Sequence, residues 1–140
     1  MSLITTRSRY GLRLLLELTE RGSNGPVDLG SVARSQDIPE MYLSKLVVPL
    51  KAAGILRSER GAKGGYELAG RPEDITMLRV VEALEGRSSL LECTANQDAC
   101  ARSGDCRTLP VWAGLDRVIK NYLGGISLAD AAHAALDYSI

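Results

Sequence analysis

The chain has 140 residues, 45% hydrophobic and 24% charged, which suits one domain with its own core or a small domain plus an appendage. Lys and Arg total 17 and Asp and Glu total 17, so any attraction to nucleic acid must come from local clustering of positive charge. Phe is absent and Trp occurs once, which argues against a single-strand binder built on base stacking, and no run approaches the ~18 apolar residues of a membrane span.

Thr5 or Thr6 caps a predicted first helix running to about Arg21, with Tyr10, Leu14, Leu15 and Leu18 on its apolar side. Arg13 and Glu17 flank Leu14-Leu15-Leu16, so this is not a signal peptide and the expected location is cytoplasmic. Ser23-Asn24-Gly25-Pro26 ends the helix, and Asp28 caps a short second one carrying Leu29, Val32 and Ala33. Gln36-Asp37-Ile38 reads as a tight turn, with Pro39 as the first residue of a third helix. Its apolar positions are Leu43, Leu46, Val47 and Leu50, and Gly54 terminates it. Pro49 removes a helical hydrogen bond and is expected to kink or shorten this helix.

Ile55 to Ser58 reads as a strand, Arg60-Gly61-Ala62-Lys63-Gly64-Gly65 as a flexible turn and Tyr66-Glu67-Leu68 as the returning strand. A fourth helix is expected over Ile75 to Leu84. Residues 87–108 read as a loop holding every cysteine of the chain. A longer helix starts at Pro110 and runs to Leu123, before Gly124-Gly125. Ser127-Leu128-Ala129-Asp130 is a capping box for a last short helix. Helix, short helix, turn, helix and glycine-tipped hairpin is the order of a winged helix-turn-helix, so the expected fold class is mainly α with a small β-hairpin wing and a long C-terminal helix. The expected division is a DNA-binding unit at 1–86, a cysteine segment at 87–108 and a dimerisation region at 109–140.

On the third helix Glu40, Met41, Ser44, Lys45 and Lys51 are left facing outward with Tyr42 at the edge, and Ser, Lys and Tyr suit base edges or phosphates in a major groove. Arg57, Arg60 and Lys63 surround the glycine-rich turn, where arginine suits a narrow minor groove. Arg7, Arg9 and Arg13 on the first helix are candidate phosphate contacts. Singly, each of these cations is as well explained as a solvated surface charge. It is the ordered set that points to duplex DNA.

Cys93, Cys100 and Cys106 follow C-x6-C-x5-C in one polar segment. In a reducing compartment such thiolates favour an iron–sulfur cluster over a structural disulfide, with zinc less suited because its structural sites pair C-x2-C ligands. A fourth ligand is not evident; His133, Asp98, Asp105, Glu85, Glu92 or a partner subunit's group are the options. The competing reading is a cluster-free thiol pair that forms a regulatory disulfide. A redox enzyme is a weaker rival, since no nucleotide-binding glycine motif or nucleophile–His–acid set is present. Val111, Leu115, Val118 and Tyr122 lie at i, i+4, i+7, i+11 of the long helix, widened by Trp112 and Ile119, and suit a two-helix seam between subunits.

Together these residues resemble the iron–sulfur cluster regulators of the Rrf2 superfamily, over nearly the whole chain. The resemblance rests on Tyr10-Gly11-Leu12-Arg13, Met41-Tyr42-Leu43-Ser44-Lys45-Leu46, Ala53-Gly54-Ile55-Leu56, Arg60 to Tyr66, Ile75 to Val81 and the cysteine triplet. It implies a homodimeric transcription regulator of a palindromic operator, with a [2Fe-2S] cluster expected ahead of [4Fe-4S], sensing iron–sulfur status, iron, nitric oxide or redox stress. It also implies Tyr42, Ser44 and Lys45 in the major groove, Arg60 in the minor groove, and Cys93, Cys100 and Cys106 on the cluster. Three positions depart from the pattern. Leu109 replaces a histidine three residues after the last cysteine, Arg9 replaces an acidic ligand near the N-terminus, and Ser44 replaces the usual recognition-helix glutamate.

Overall fold

The computed structural model describes residues 3–86 and 89–133, without the side chain of Ser23; the expected segment boundary at residue 87 and the last seven residues of the chain lie outside the described residues. Helix α1 spans Thr6–Arg21, and the Thr5 hydroxyl caps it by accepting the Arg7 amide at 3.2 Å. Leu14, Leu15 and Leu18 on its inner face are fully buried or nearly so. Helix α2 spans Leu29–Gln36 and opens on Asp28, whose carboxylate accepts the Ser31 amide at 2.9 Å. It closes on Asp37 at φ 52°, a left-handed position that a short polar side chain tolerates.

Helix α3 spans Glu40–Ala52. Pro39 sits just outside it as the capping residue rather than as its first residue, and its carbonyl accepts the Tyr42 and Leu43 amides. Pro49 does not end the helix, which runs on to Ala52. Its missing amide deprives the carbonyl of Lys45, an exposed residue where water can substitute, and the Pro49 carbonyl itself accepts the Ala53 amide at 3.0 Å. Buried Leu43, Leu46, Val47 and Leu50 hold the helix against the core, and Gly54 at φ 71° turns the chain out of it.

Strands β1, Leu56–Glu59, and β2, Gly65–Leu68, form an antiparallel hairpin with Arg57 opposite Glu67. The hairpin is stitched to the start of α2 by paired Val27–Tyr66 backbone bonds of 2.9 and 2.8 Å. That approach requires glycine at 65, because a Cβ there would lie 2.4 Å from the Val27 carbonyl oxygen. Helix α4, Met77–Glu85, begins two residues later than expected because Thr76 caps it and Ile75 is buried ahead of it.

The cysteine segment is not all loop: α5, Glu92–Ala95, and a 3-10 turn, Gln97–Ala99, interrupt it. Helix α6, Leu109–Gly124, carries Pro110 in its first turn, where no amide partner is needed. Helix α7, Leu128–Ala132, opens on the expected capping box between Ser127 and Asp130. Fully buried Leu128 returns it to the core against α1, and the Leu128 amide reaches the Ile75 carbonyl at 2.7 Å. The core is thus one cluster of α1 to α4, the hairpin root and α7, while α6 shares only its inner side with α4 and α5.

Candidate DNA-reading face and cysteine segment

Helix α3 leaves Glu40, Met41, Ser44, Lys45, Val48 and Lys51 exposed on the side away from the core. Tyr42 is half-buried and meets the Tyr10 ring edge-on, centroids 5.5 Å apart at 77°. The Arg13 guanidinium lies 5.5 Å over the Tyr10 ring and also bonds the Gln36 side chain at 3.1 Å and the Gln36 carbonyl. This stack fixes the angle of α3 against α1 and α2, which is what a rigid reading helix requires. Ser44 turns its hydroxyl back onto the Glu40 carbonyl at 3.0 Å.

The basic residues of the first helix do not act as one group. Arg7, Tyr42, Lys45 and Leu46 line a cleft of about 200 Å³ beside the reading helix. Arg9, about 200° further round the helix, borders an apolar cleft with Ile4, Met77, Val80, Val81 and Leu123 instead. The structure therefore places Arg7, but not Arg9, with α3, and Arg13 is occupied holding α2. On the hairpin, Arg57 pairs with Glu67 at 2.7 Å, so its charge is matched, while Arg60 and Lys63 are exposed at the tip. Gly61 at φ 111° makes that turn, and its carbonyl accepts the Gly64 amide. Lys51 reaches the Ser58 hydroxyl at 2.9 Å and ties the reading helix to the hairpin.

All cysteines are free thiols: Cys93 is half-buried in α5, Cys100 is exposed, and Cys106 is half-buried ahead of α6. Hydrogen bonds from the Thr108 hydroxyl and from the Thr108 and Leu109 amides hold the Cys106 thiol below the ordinary cysteine range, and Arg102 adds to this. Among the described residues no three or more Cys, His, Asp and Glu groups are gathered to hold a metal ion. The donors are of the right chemistry for a soft metal and open to solvent, but the segment must close to bring them together. Of the candidate fourth ligands, Glu85 is engaged by Thr5 and Ser8, His133 is exposed at the end of α7, and Glu92, Asp98 and Asp105 are exposed on the segment.

Asp116, which sequence reasoning missed, anchors the segment. It is buried in α6 and accepts the Leu90 amide at 2.7 Å and an ion pair from Lys120 at 3.3 Å, while Lys120 also donates to the Ser89 hydroxyl at 3.0 Å. Burial pushes the Asp116 carboxyl up, but the Leu90 amide and Lys120 outweigh it and hold it below the usual carboxylate range. The Asp116–Lys120 spacing of i, i+4 was a signal for a pair, though not for its burial. Leu90 and Leu91 line a cleft with Trp112 and Leu115, so the segment starts against α6. Val111, Trp112, Leu115, Val118 and Tyr122 stay exposed on α6, and Ile119 is half-buried. Val118, Ile119 and Tyr122 line a wholly apolar cleft with Leu3, Ile4 and Leu123.

A rigid helix presented on two supporting helices, with a basic hairpin beside it, defines a winged helix-turn-helix DNA-binding protein. The chain belongs to the Rrf2 family, whose model, described as an iron-dependent transcriptional regulator, matches residues 4–134. It is 40% identical over 127 residues to the protein rrf2 of Nitratidesulfovibrio vulgaris, covering 91% of this chain and 85% of that protein. The structure is similar to that of CymR (YrzC), the global cysteine regulator of B. subtilis, with a TM-score of 0.81 and 34% identity over 98% of this chain and 100% of that one. It is also similar to T. potens IscR, with a TM-score of 0.76 and 31% identity over 98% of this chain and 90% of that one. Its function is transcription regulation through DNA. No helix among the described residues is long and apolar enough to cross a membrane.

Proposed function

We propose that this protein is a homodimeric regulator whose grip on a palindromic operator is switched at Cys93, Cys100 and Cys106 by an iron–sulfur cluster, [2Fe-2S] ahead of [4Fe-4S]. The observation that carries the reading is the placement of three accessible thiols on a segment that follows α4, is pinned to α6 near its start through Leu90 and Asp116, and runs into α6 at its end. Its similarity to IscR and the iron-dependent description of its family support the choice of metal. Cys93, Cys100 and Cys106 would hold the cluster, which when bound supplies a cross-link between three points of the segment that redox or nitric oxide chemistry can remove.

The chain's own residues supply the rest. Tyr42, Ser44, Lys45 and Glu40 present the major-groove face, Arg7 and Lys45 flank a phosphate, and Arg60 and Lys63 enter the adjacent minor groove. Arg57, matched by Glu67, contributes little charge to DNA, and Arg9 belongs to the subunit side. The apolar stripe Val111, Leu115, Val118, Ile119 and Tyr122 seats against the same stripe of a second copy, since a contiguous exposed apolar face marks a surface for association. Expected cytoplasmic placement agrees with reduced thiols.

A second reading, a cluster-free thiol switch, is favoured by one observation: the Cys106 thiol is held below its ordinary range and so reacts faster with oxidants. Anaerobic purification separates the two. A coloured protein with iron, sulfide and an operator affinity that changes on cluster removal supports the cluster. A colourless protein whose affinity changes only on disulfide formation supports the thiol switch. Equal operator affinity of both forms at fixed salt removes the switch altogether.

A further inference from the structure

We infer that Met41 and Val48 read thymine in the major groove, so that this protein's operator carries two methyl-dependent positions about three base pairs apart in each half-site. The inference rests on the DNA-reading assignment and deepens it. Met41 is 78% exposed and Val48 66% exposed, although Leu43, Leu46, Val47 and Leu50 already fill the core side of the same helix. Seven residues on a helix return to within about 20° of the same direction, so both side chains lie on one stripe, with Ser44 and Lys45 between them.

The stripe is polar at its centre and apolar at its ends. Ser44 directs its hydroxyl to the Glu40 carbonyl, which leaves Lys45 as the extended polar group of the middle turn. Lys45, Lys51 and Arg7 flank the stripe with positive charge, so the occupant of this face is an anion-edged groove rather than an apolar protein surface. Within such a groove the apolar feature on a base edge is the C5-methyl of thymine. Seven residues at 1.5 Å rise span about 10 Å, which matches roughly three steps of the duplex. Val48 sits one residue before Pro49, and α3 is continuous from Met41 through that proline, so Val48 keeps the helical register with Met41.

The test uses the full-length protein and a randomised duplex library. Enriched duplexes are resynthesised with each thymine replaced in turn by deoxyuridine, which removes one methyl and leaves every hydrogen bond intact. Burying a methyl changes affinity about fourfold, so two positions per half-site, about three base pairs apart, should each lose about that much. Met41→Ala should abolish the discrimination at one position and Val48→Ala at the other, with unchanged circular dichroism because both side chains are exposed. If thymine-to-deoxyuridine changes have no effect, or if the discrimination survives in both variants, the inference is overturned while the DNA-reading assignment stands. If no duplex is enriched at all, the DNA-reading assignment fails and takes this inference with it.

Discussion

Glu85, the last residue of α4, closes the N-terminus of α1 from a distant part of the chain. Its Oε1 accepts the Thr5 amide at 2.9 Å, the Ser8 amide at 3.3 Å and the Ser8 hydroxyl at 2.6 Å, and the Thr5 hydroxyl lies 2.9 and 3.0 Å from its two oxygens. In a capping box within one helix the acid occupies the third helical position; here Ser8 occupies it and Glu85 supplies the carboxylate from α4. Burial pushes its carboxyl up, but the hydrogen bonds from Ser8 and Thr5 outweigh this and hold it below the ordinary 4.5. Glu85→Ala removes a cap worth about 1 kcal/mol, a favourable charge at the helix dipole worth about 0.5 kcal/mol, and the acceptor of the buried Ser8 hydroxyl, worth about 1 kcal/mol. The expected loss is about 2–3 kcal/mol, or roughly 10 °C in Tm for a chain of this size. Glu85→Gln keeps the Oε1 acceptor but loses the charge at the helix dipole and the extra strength of hydrogen bonds to a charged oxygen, together about 1 kcal/mol. Because the folded pKa is lowered, the charge contributes fully above the unfolded pKa and is lost as pH falls through the folded value. The gap between wild type and Glu85→Gln should hold from pH 7 to about pH 5 and shrink below that, as read by thermal unfolding at fixed protein concentration. A Glu85→Ala protein that melts within about 2 °C of wild type, or a Glu85→Gln gap that stays constant into acid, refutes the reasoning.

Val118→Glu places a charge on the exposed apolar stripe of α6 and should yield monomer at concentrations where wild type is dimeric; an unchanged mass by light scattering after gel filtration counts against the seam. Arg60→Ala should lower the slope of log affinity against log salt by about one, whereas Arg57→Ala should move it much less because Glu67 already neutralises it; equal slopes would mean that the ion pair opens on DNA. Gly65→Ala should cost about 2 kcal/mol or more in urea unfolding, since the new methyl would overlap the Val27 carbonyl; a neutral result would show that the hairpin is free to move off α2.

The fold was legible wherever periodicity and capping agreed. Asp28, Thr5 and the Ser127–Asp130 box mark helix starts that the structure keeps, because a capping side chain satisfies amides within a few residues of itself. Pro49 did not shorten α3 as expected, because its cost depends on whether the abandoned carbonyl reaches water, which is a tertiary fact. The candidate site was legible in residue type but not in grouping. Arg7 and Arg9 look equivalent in a list of cations, yet about 200° of helix separates them, and α4 and α6 take up the side on which Arg9 lies. Arg57 looked like Arg60 until the strand register set Glu67 opposite it. Asp116 and Glu85 were invisible as anchors for the same reason: their partners lie 26 and 80 residues away in sequence.

Those two carboxylates explain how a small change in the cysteine segment would reach both subunits' reading heads on the proposed reading. Before the segment, Glu85 joins the end of α4 to the first turn of α1, and that turn carries Arg7 into the cleft beside Lys45. At its start, Asp116 and Lys120 bolt Ser89 and Leu90 to α6, within the helix that bears the exposed stripe. Each anchor is a set of hydrogen bonds to a carboxylate held in its charged form, which makes it stronger than a neutral contact of the same length. On that reading, closure of the segment around a ligand would load α6, to which it is pinned at its start and joined at its end, with the Glu85 contact to α1 lying just ahead of it. In the proposed dimer that load would fall on the spacing of two reading helices and on the proposed Arg7 phosphate contact, which are the quantities that set affinity for a two-fold operator.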